Sequence, residues 1–179
     1  LTTYRKYAIK LNEYLVTNYE VLKQLDLNPD NLEAEVATVE INNSEATFNI
    51  VDIKEEELSS YFTLQYLGED IGQFKINALG NYNVKHAVEA IAVGKYSGLS
   101  FRQMKEGLTD WQGVKRRFEI LHKDENTSVI TDYAHHPSEV QVVVDTFERI
   151  KTDKNKVVVF QPHQYLRTQR LFTDYKRVL

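Results

Sequence analysis

Apolar residues alternate with polar ones through much of the first half of the chain and recur at helical spacing elsewhere, so the changes of period mark out the elements. Between Tyr4 and Asp26 apolar side chains fall at Tyr7, Leu11, Tyr14, Leu15, Val21, Leu22 and Leu25. This roughly helical spacing, broken near Thr17 and Asn18, predicts two short helices or one bent one with a packing role. Asn28, Pro29 and Asp30 form a breaker. Ala34, Val36, Thr38 and Val39, then Thr47, Phe48, Ile50 and Ile53, alternate with polar residues around a turn at residues 42–44. Residues 61–67 and 71–76 repeat the pattern around 68–70, and the whole stretch predicts an antiparallel meander.

The period then lengthens. Residues 77–98 predict a helix capped by Asn81 or Asn83, with Val84, Ala87, Val88, Ile91 and Ala92 on its apolar face and Gly98 ending it. A second short helix is expected over 101–108, with Trp111 packing after it. Past Arg116 the order becomes strand (118–122), turn (123–126), strand (129–132), helix (138–150), strand (157–161) and another helix from about residue 168. A strand, helix and buried-looking VVVF strand read as a βαβ unit, which demands a parallel sheet and a right-handed crossover. The fold class is therefore α/β. The antiparallel meander with its helices is expected in residues 1–116, and the beginning of a parallel-sheet domain in residues 117–179.

Composition narrows the function classes. With 42% hydrophobic residues in 179 the chain can build a real core. The run 157–160 is far short of the roughly 20 residues that cross a bilayer, and residues 1–10 lack a secretory pattern, so membrane insertion is not expected. The absence of Cys rules out disulfides and thiolate metal sites and fits a cytoplasmic location. A net charge of −4 argues against a general nucleic-acid partner. An anionic ligand must then be held by local basic groups. The acidic run at 55–57 reads as a solvated face rather than a metal site. Gly94 and Lys95 are followed by Tyr96 and lack the preceding glycine of a phosphate-binding loop. The chain starts on Leu1 and stops within a helical pattern, so it is expected to be a piece of a longer protein.

The unusual chemistry is concentrated in residues 110–137, DWQGVKRRFEILHKDENTSVITDYAHHP. Asp132, Tyr133, His135, His136 and Pro137 fall where the strand at 129–132 ends, and in open α/β sheets ligands sit outside such ends. Arg116 and Arg117 follow a glycine-containing turn. Their planar forks suit bidentate contact with a phosphate, the alternative being solvated linker charge. Asp132 is either an acceptor for a ribose or a plain helix cap. His135 and His136 point in different directions with no carboxylate at ligand spacing, so neutral imidazole holding a carboxylate or phosphate oxygen is preferred to a metal site. His163 and Arg167 follow the VVVF run at a second strand end. Two parallel-strand termini would thus bring His, Asp, Tyr and Arg to one crevice.

Four segments together resemble the Mur ligase family: GNYNVKHAVEAIAV (80–93), WQGVKRRFE (111–119), TDYAHHPSE (131–139) and FQPHQYLRT (160–168). Their order and spacing match, the similarity runs over roughly residues 31–179, and residues 1–27 show no comparable match. The last motif favours the alanine-adding branch over the murein-tripeptide recycling ligases. The sequence departs from the family pattern at Tyr82, His86, Thr131 and Gln164.

The resemblance implies a later portion of a central ATP-binding domain, a mixed sheet with helices, in residues 1–116 and the start of a Rossmann-like C-terminal domain in 117–179. It implies an ATP-dependent amide ligase of peptidoglycan synthesis, and so of cell-wall biogenesis, cell shape and division. Its partners would be UDP-N-acetylmuramate and L-alanine, its cofactors ATP and Mg²⁺, and its metal ligands and phosphate-binding loop would lie outside this stretch, leaving the stretch inactive alone. By resemblance Asn83 and His86 fall where the family contacts adenine, Arg117 where it reaches the ATP phosphates and Asp132 where it meets the ribose. Tyr133, His135, His163 and Arg167 fall at the uridine-linked substrate and the amino acid, with His135, His163 and Arg167 at the reacting groups. A non-catalytic nucleotide-binding relative is the reading of a different class.

Overall fold

In the computed structural model, which describes residues 2–11, 13–150 and 152–179, the chain forms two compact units, Leu1–Trp111 and Gln112–Leu179. The first is built on a five-stranded sheet: β1 (Tyr14–Thr17), β2 (Glu35–Ile41), β3 (Phe48–Glu56), β4 (Ser59–Tyr66) and β5 (Glu69–Ile76), in that spatial order. Helix α1 (Thr2–Ala8) precedes it and α2 (Tyr19–Gln24) follows β1. Helix α3 (Asn81–Tyr96) packs on β1, β2 and β3, and α4 (Phe101–Asp110) packs on β5 and α3.

Three features of this unit differ from the pattern-based expectation. Residues 14–17 are a strand between two helices, because YLVT pairs in parallel with Glu35–Thr38. That gain in backbone hydrogen bonds overrides the weak helical spacing, to which Tyr7 was counted although its side chain is outside the described ones. Only β3, β4 and β5 form an antiparallel meander, since β2 and β3 are parallel, Val39 opposite Phe48 and Ile41 opposite Ile50. The turn at 42–44 exists, but it loops the chain back alongside β2 instead of closing a hairpin. Asn42 takes φ of 54°, its N–H donates to the Ile50 carbonyl at 2.9 Å, and Thr38 and Thr47 exchange N–H to hydroxyl hydrogen bonds at 3.1 and 3.0 Å. Finally, α3 starts after Gly80, at φ of 94°, and not on an asparagine cap: Glu55 accepts the Gly80 N–H at 2.8 Å and so is more than a solvated charge.

Phe48, Ile50, Phe62, Leu64 and Ile76 on the sheet are closed off completely by Val84, Val88, Ile91 and Ala92, all on the α3 face expected from spacing. Gly94 belongs to this packing. It lies inside α3, and a Cβ there would stand 2.7 Å from the Met104 sulfur.

The second unit holds a hairpin of β6 (Glu119–Lys123) and β7 (Ser128–Thr131), then α5 (Pro137–Arg149), α6 (Tyr165–Arg170) and α7 (Phe172–Val178). Its buried core is small: Val140, Tyr175 and Val178, with Phe160, Val144 and Leu171 against them. The parallel βαβ sheet expected here is absent among the described residues. Residues 157–161 form no strand, Val157 and Val159 are 73% and 91% exposed, and β7 pairs only with β6, antiparallel. A β-branched run favours extended backbone, but a strand exists only where a neighbour completes its ladder. Here an apolar cleft of about 400 Å³, lined by Val129, Val144, Phe147 and Val158 among others, lies among β7, α5 and the run. No helix among the described residues is long and apolar enough to cross a membrane.

Candidate functional site

The chain leaves β7 at Thr131 and passes through Asp132–His136 into α5, and this turn carries most of the candidate chemistry. Asp132 sets its shape. One carboxylate oxygen accepts the Phe118 N–H at 2.8 Å and the other accepts the Ala134 N–H at 2.7 Å. It is therefore neither a bare ligand acceptor nor the cap of α5. It ties the incoming arginine segment to the β7–α5 turn, while each oxygen keeps a lone pair for another donor. The Tyr133 N–H adds a second tie, to the Arg116 carbonyl at 2.9 Å. Arg116 and Phe118 both adopt left-handed backbone, φ 61° and 48°, to make this approach.

These ties line up a row of flat groups. The Arg116 guanidinium sits 4.2 Å over the Tyr133 ring, Tyr133 is 5.2 Å from the His135 ring, and His135 is 5.9 Å from His163. The Tyr175 hydroxyl donates to the His135 carbonyl at 2.6 Å, and Phe160 packs 5.2 Å from the Tyr175 ring, which anchors the turn to the unit's core. His163 and His135 thus meet although no parallel strand carries His163. The loop after residue 160 reaches the turn through side-chain packing alone. Arg167 lies half-buried on α6, and among the described residues its guanidinium has no hydrogen-bond or ion-pair partner.

The adjacent histidines engage different partners. His136 caps α5, its Nδ1 lying 3.4 Å from the Ser138 amide nitrogen and 2.8 Å from the Ser138 hydroxyl oxygen. His135 Nδ1 lies 3.0 Å from the Tyr133 carbonyl, which has no proton to give, so Nδ1 carries the hydrogen. Glu139, absent from the candidates read from the sequence, organises both. Its carboxylate accepts the His135 N–H at 3.0 Å and the His136 N–H at 3.2 Å, and one oxygen lies 3.5 Å from His135 Nδ1. The His135 N–H bond is the main reason its acidity is raised, the carboxyl titrating below its ordinary value, with the His136 bond and the positive charges of His135 and Arg117 adding to this against partial burial. Its place three residues beyond the cap is the signal that could have found it. Tyr175, 40 residues from His135, had no local signal.

In the first unit, Asn83 donates through its side-chain amide to the Leu79 carbonyl at 2.7 Å, and His86 Nδ1 lies 2.9 Å from Glu89, with the Tyr82 ring edge-on at 6.3 Å. Both residues lie on α3. His86 is largely exposed. The remaining candidates all belong to the second unit.

A guanidinium, an aromatic ring and two imidazoles beside a strand end define a loop site of an α/β protein suited to anionic groups. Residues 116–179 match the family model described as Mur ligase, glutamate ligase domain. Among curated proteins the chain is 37% identical over 134 residues to a UDP-N-acetylmuramate–L-alanine ligase of Syntrophobacter fumaroxidans, covering 75% of this chain and 29% of that one. It is 39% identical over 125 residues to the enzyme of the same name from Desulforapulum autotrophicum, covering 70% of this chain and 27% of that one. The crystal structure of the UDP-N-acetylmuramate-alanine ligase of Thermotoga maritima superposes with a TM-score of 0.60 at 22% identity, covering 83% of this chain and 41% of that one. The chain thus spans less than a third of the length of these curated relatives. The chain belongs to the Mur ligase family.

Proposed function

We propose that the chain is part of an ATP-dependent amide ligase of peptidoglycan synthesis that joins L-alanine to UDP-N-acetylmuramate. In this reading residues 1–116 are the later part of the central ATP-binding domain and 117–179 the beginning of the C-terminal domain. The reaction activates the lactyl carboxylate as an acyl phosphate, and the amine of L-alanine displaces phosphate from it. The observation that carries the reading is the row Arg116, Tyr133, His135 and His163. It sets donors for carboxylate and phosphate oxygens at a strand end, inside the segment that matches the named ligases at 37% identity.

The individual roles are those that the family resemblance implies. Arg117 faces the ATP phosphates as a bidentate cation, and Asp132, with lone pairs left over from its two backbone bonds, accepts from the ribose. Tyr133, His135, His163 and Arg167 hold the substrate carboxylate and the amino acid, which restricts the amine to an in-line approach. Asn83 and His86 serve the adenine. Mg²⁺ would neutralise phosphate charge when bound, and by resemblance to the family its ligands are assigned outside this stretch. A cytoplasmic location belongs to the same proposal.

The test is phosphate release by the full-length protein. Release that requires UDP-N-acetylmuramate, L-alanine and ATP together is the expected result. Release with a tripeptide but not with alanine would move the assignment to the recycling ligases, and ATP binding without ligation would make the protein a non-catalytic relative.

A further inference from the structure

Two separate stretches of chain meet where the His135 and His163 rings stand 5.9 Å apart, and Tyr175 on α7 touches both stretches. Its hydroxyl donates to the His135 carbonyl at 2.6 Å. That carbonyl lies one residue before the cap of α5, outside the helical ladder, whose Val140 N–H goes to the His136 carbonyl instead. The Tyr175 ring packs 5.2 Å from Phe160, three residues before His163. At 5% exposure, buried with Val140 and Val178, Tyr175 is a fixed post between the two stretches and not a group that meets a ligand. It is also geared to α6. The Leu171 N–H donates to the Arg167 carbonyl at 2.9 Å and the Tyr175 N–H to the Leu171 carbonyl at 3.0 Å, so a continuous helical path links Arg167 to Tyr175.

We propose that Tyr175 is a positioning residue that sets the spacing of His135, His163 and Arg167 for the amino-acid substrate, its hydroxyl holding the first and its ring and helix the other two. The inference rests on the ligase reading above, in which Tyr133, His135, His163 and Arg167 hold the substrate carboxylate and the amino acid. Without the hydroxyl, the part-buried His135 carbonyl loses this donor and the turn shifts toward another one. Glu139 still accepts the His135 and His136 N–H groups, so the turn is displaced and does not unravel. The ties from Asp132 to Phe118 and Ala134 do not pass through Tyr175. Arg117 and Asp132, which serve the nucleotide in that reading, therefore keep their places. The consequence is selective: the amino acid is misaligned and ATP is not. A bond with a structural role alone would lower stability without separating the two substrates.

The experiment uses the full-length protein, with two readouts. Tyr175→Phe keeps the ring against Phe160 and removes only the hydroxyl. In steady-state kinetics it is expected to lower kcat/KM for L-alanine by about tenfold, as a small misplacement of an oriented reactant does, with the KM for ATP unchanged. Phe160→Leu, which loosens the His163 side of the post, should change the same parameter in the same direction, and it carries the test if Tyr175→Phe does not fold. By amide hydrogen exchange, Tyr175→Phe should quicken the His135 amide and leave that of Phe118, held by Asp132, as in the wild type. Unchanged exchange at His135 would overturn the proposal whatever the activity. With normal wild-type turnover, an unmoved kcat/KM for alanine in the folded variants, or equal losses for alanine and ATP, would overturn this proposal alone. Absence of alanine-dependent turnover in the wild type would instead overturn the ligase reading, and the role of Tyr175 in the reaction with it.

Discussion

The two units solve the problem of burial differently. In the first, a five-stranded sheet and two helices enclose Phe48, Ile50, Phe62 and Leu64 without any exposure, and Phe62 stacks on Phe74 at 5.8 Å. In the second, the buried apolar cluster among the described residues is three residues, valines at 157–159 face solvent, and the shape of the functional turn comes from polar ties to Asp132, Glu139 and Tyr175. Area removed from water holds the first unit, whereas directed hydrogen bonds hold the part of the second that carries chemistry. A site that must accept charged groups cannot be closed over by side chains, so its precision has to come from bonds that fix the backbone.

This contrast can be broken most strongly at Phe62. Phe62→Ala leaves a cavity in a closed core and is expected to cost about 4 kcal/mol in urea unfolding of the chain. A cost near 1 kcal/mol would mean that the first unit is as loosely packed as the second. Asp132→Ala should cost about 2 kcal/mol, since two N–H groups lose a charged acceptor. Amide hydrogen exchange should then quicken at Phe118 and Ala134 first, and uniform exchange across the second unit would contradict a local tie.

Acid provides a gentler probe. The carboxyl of Glu139 titrates lower in the folded chain, so its contribution is present above the unfolded value of roughly 4.3 and is lost as pH falls through the folded value. With the side chain 39% exposed, the loss is expected to stay within about 1 kcal/mol. In Glu139→Gln the stability difference from the wild type should therefore shrink as pH drops below about 4. A difference independent of pH would remove the charge from the account. The smallest effect belongs to Gly107 on α4, where a Cβ meets open space. Gly107→Ala should stabilise by about 0.5 kcal/mol, seen as a small rise in Tm.

Much of this arrangement was legible beforehand because it is local. The 3.6-residue spacing of Val84, Ala87, Val88, Ile91 and Ala92 marked the face that α3 buries, and the polar cluster after β7 marked the loop that holds the candidate site. Pairing partners were not legible. YLVT at 14–17 became a strand, the turn at 42–44 returned the chain parallel to β2, and VVVF at 157–160 stayed unpaired. Each outcome depends on which backbone edge lies beside the segment, and periodicity carries no record of that. Glu139 escaped notice for a related reason. In the sequence it is one more acid, and only the folded turn brings the amides of His135 and His136 to it.

Side-chain period, glycine placement and the order of the four motifs determined the α/β class, the α3 core face, the family and the stretch where chemistry is concentrated, because each is written in neighbouring residues. Strand direction, the meeting of His135 with His163, the double use of Asp132 and the different partners of His135 and His136 were decided only by the tertiary structure. The physical reason is that a hydrogen bond or a ring contact is set by distance in space, and residues such as His135 and Tyr175, 40 apart in the chain, come within 2.6 Å only after everything between them has packed.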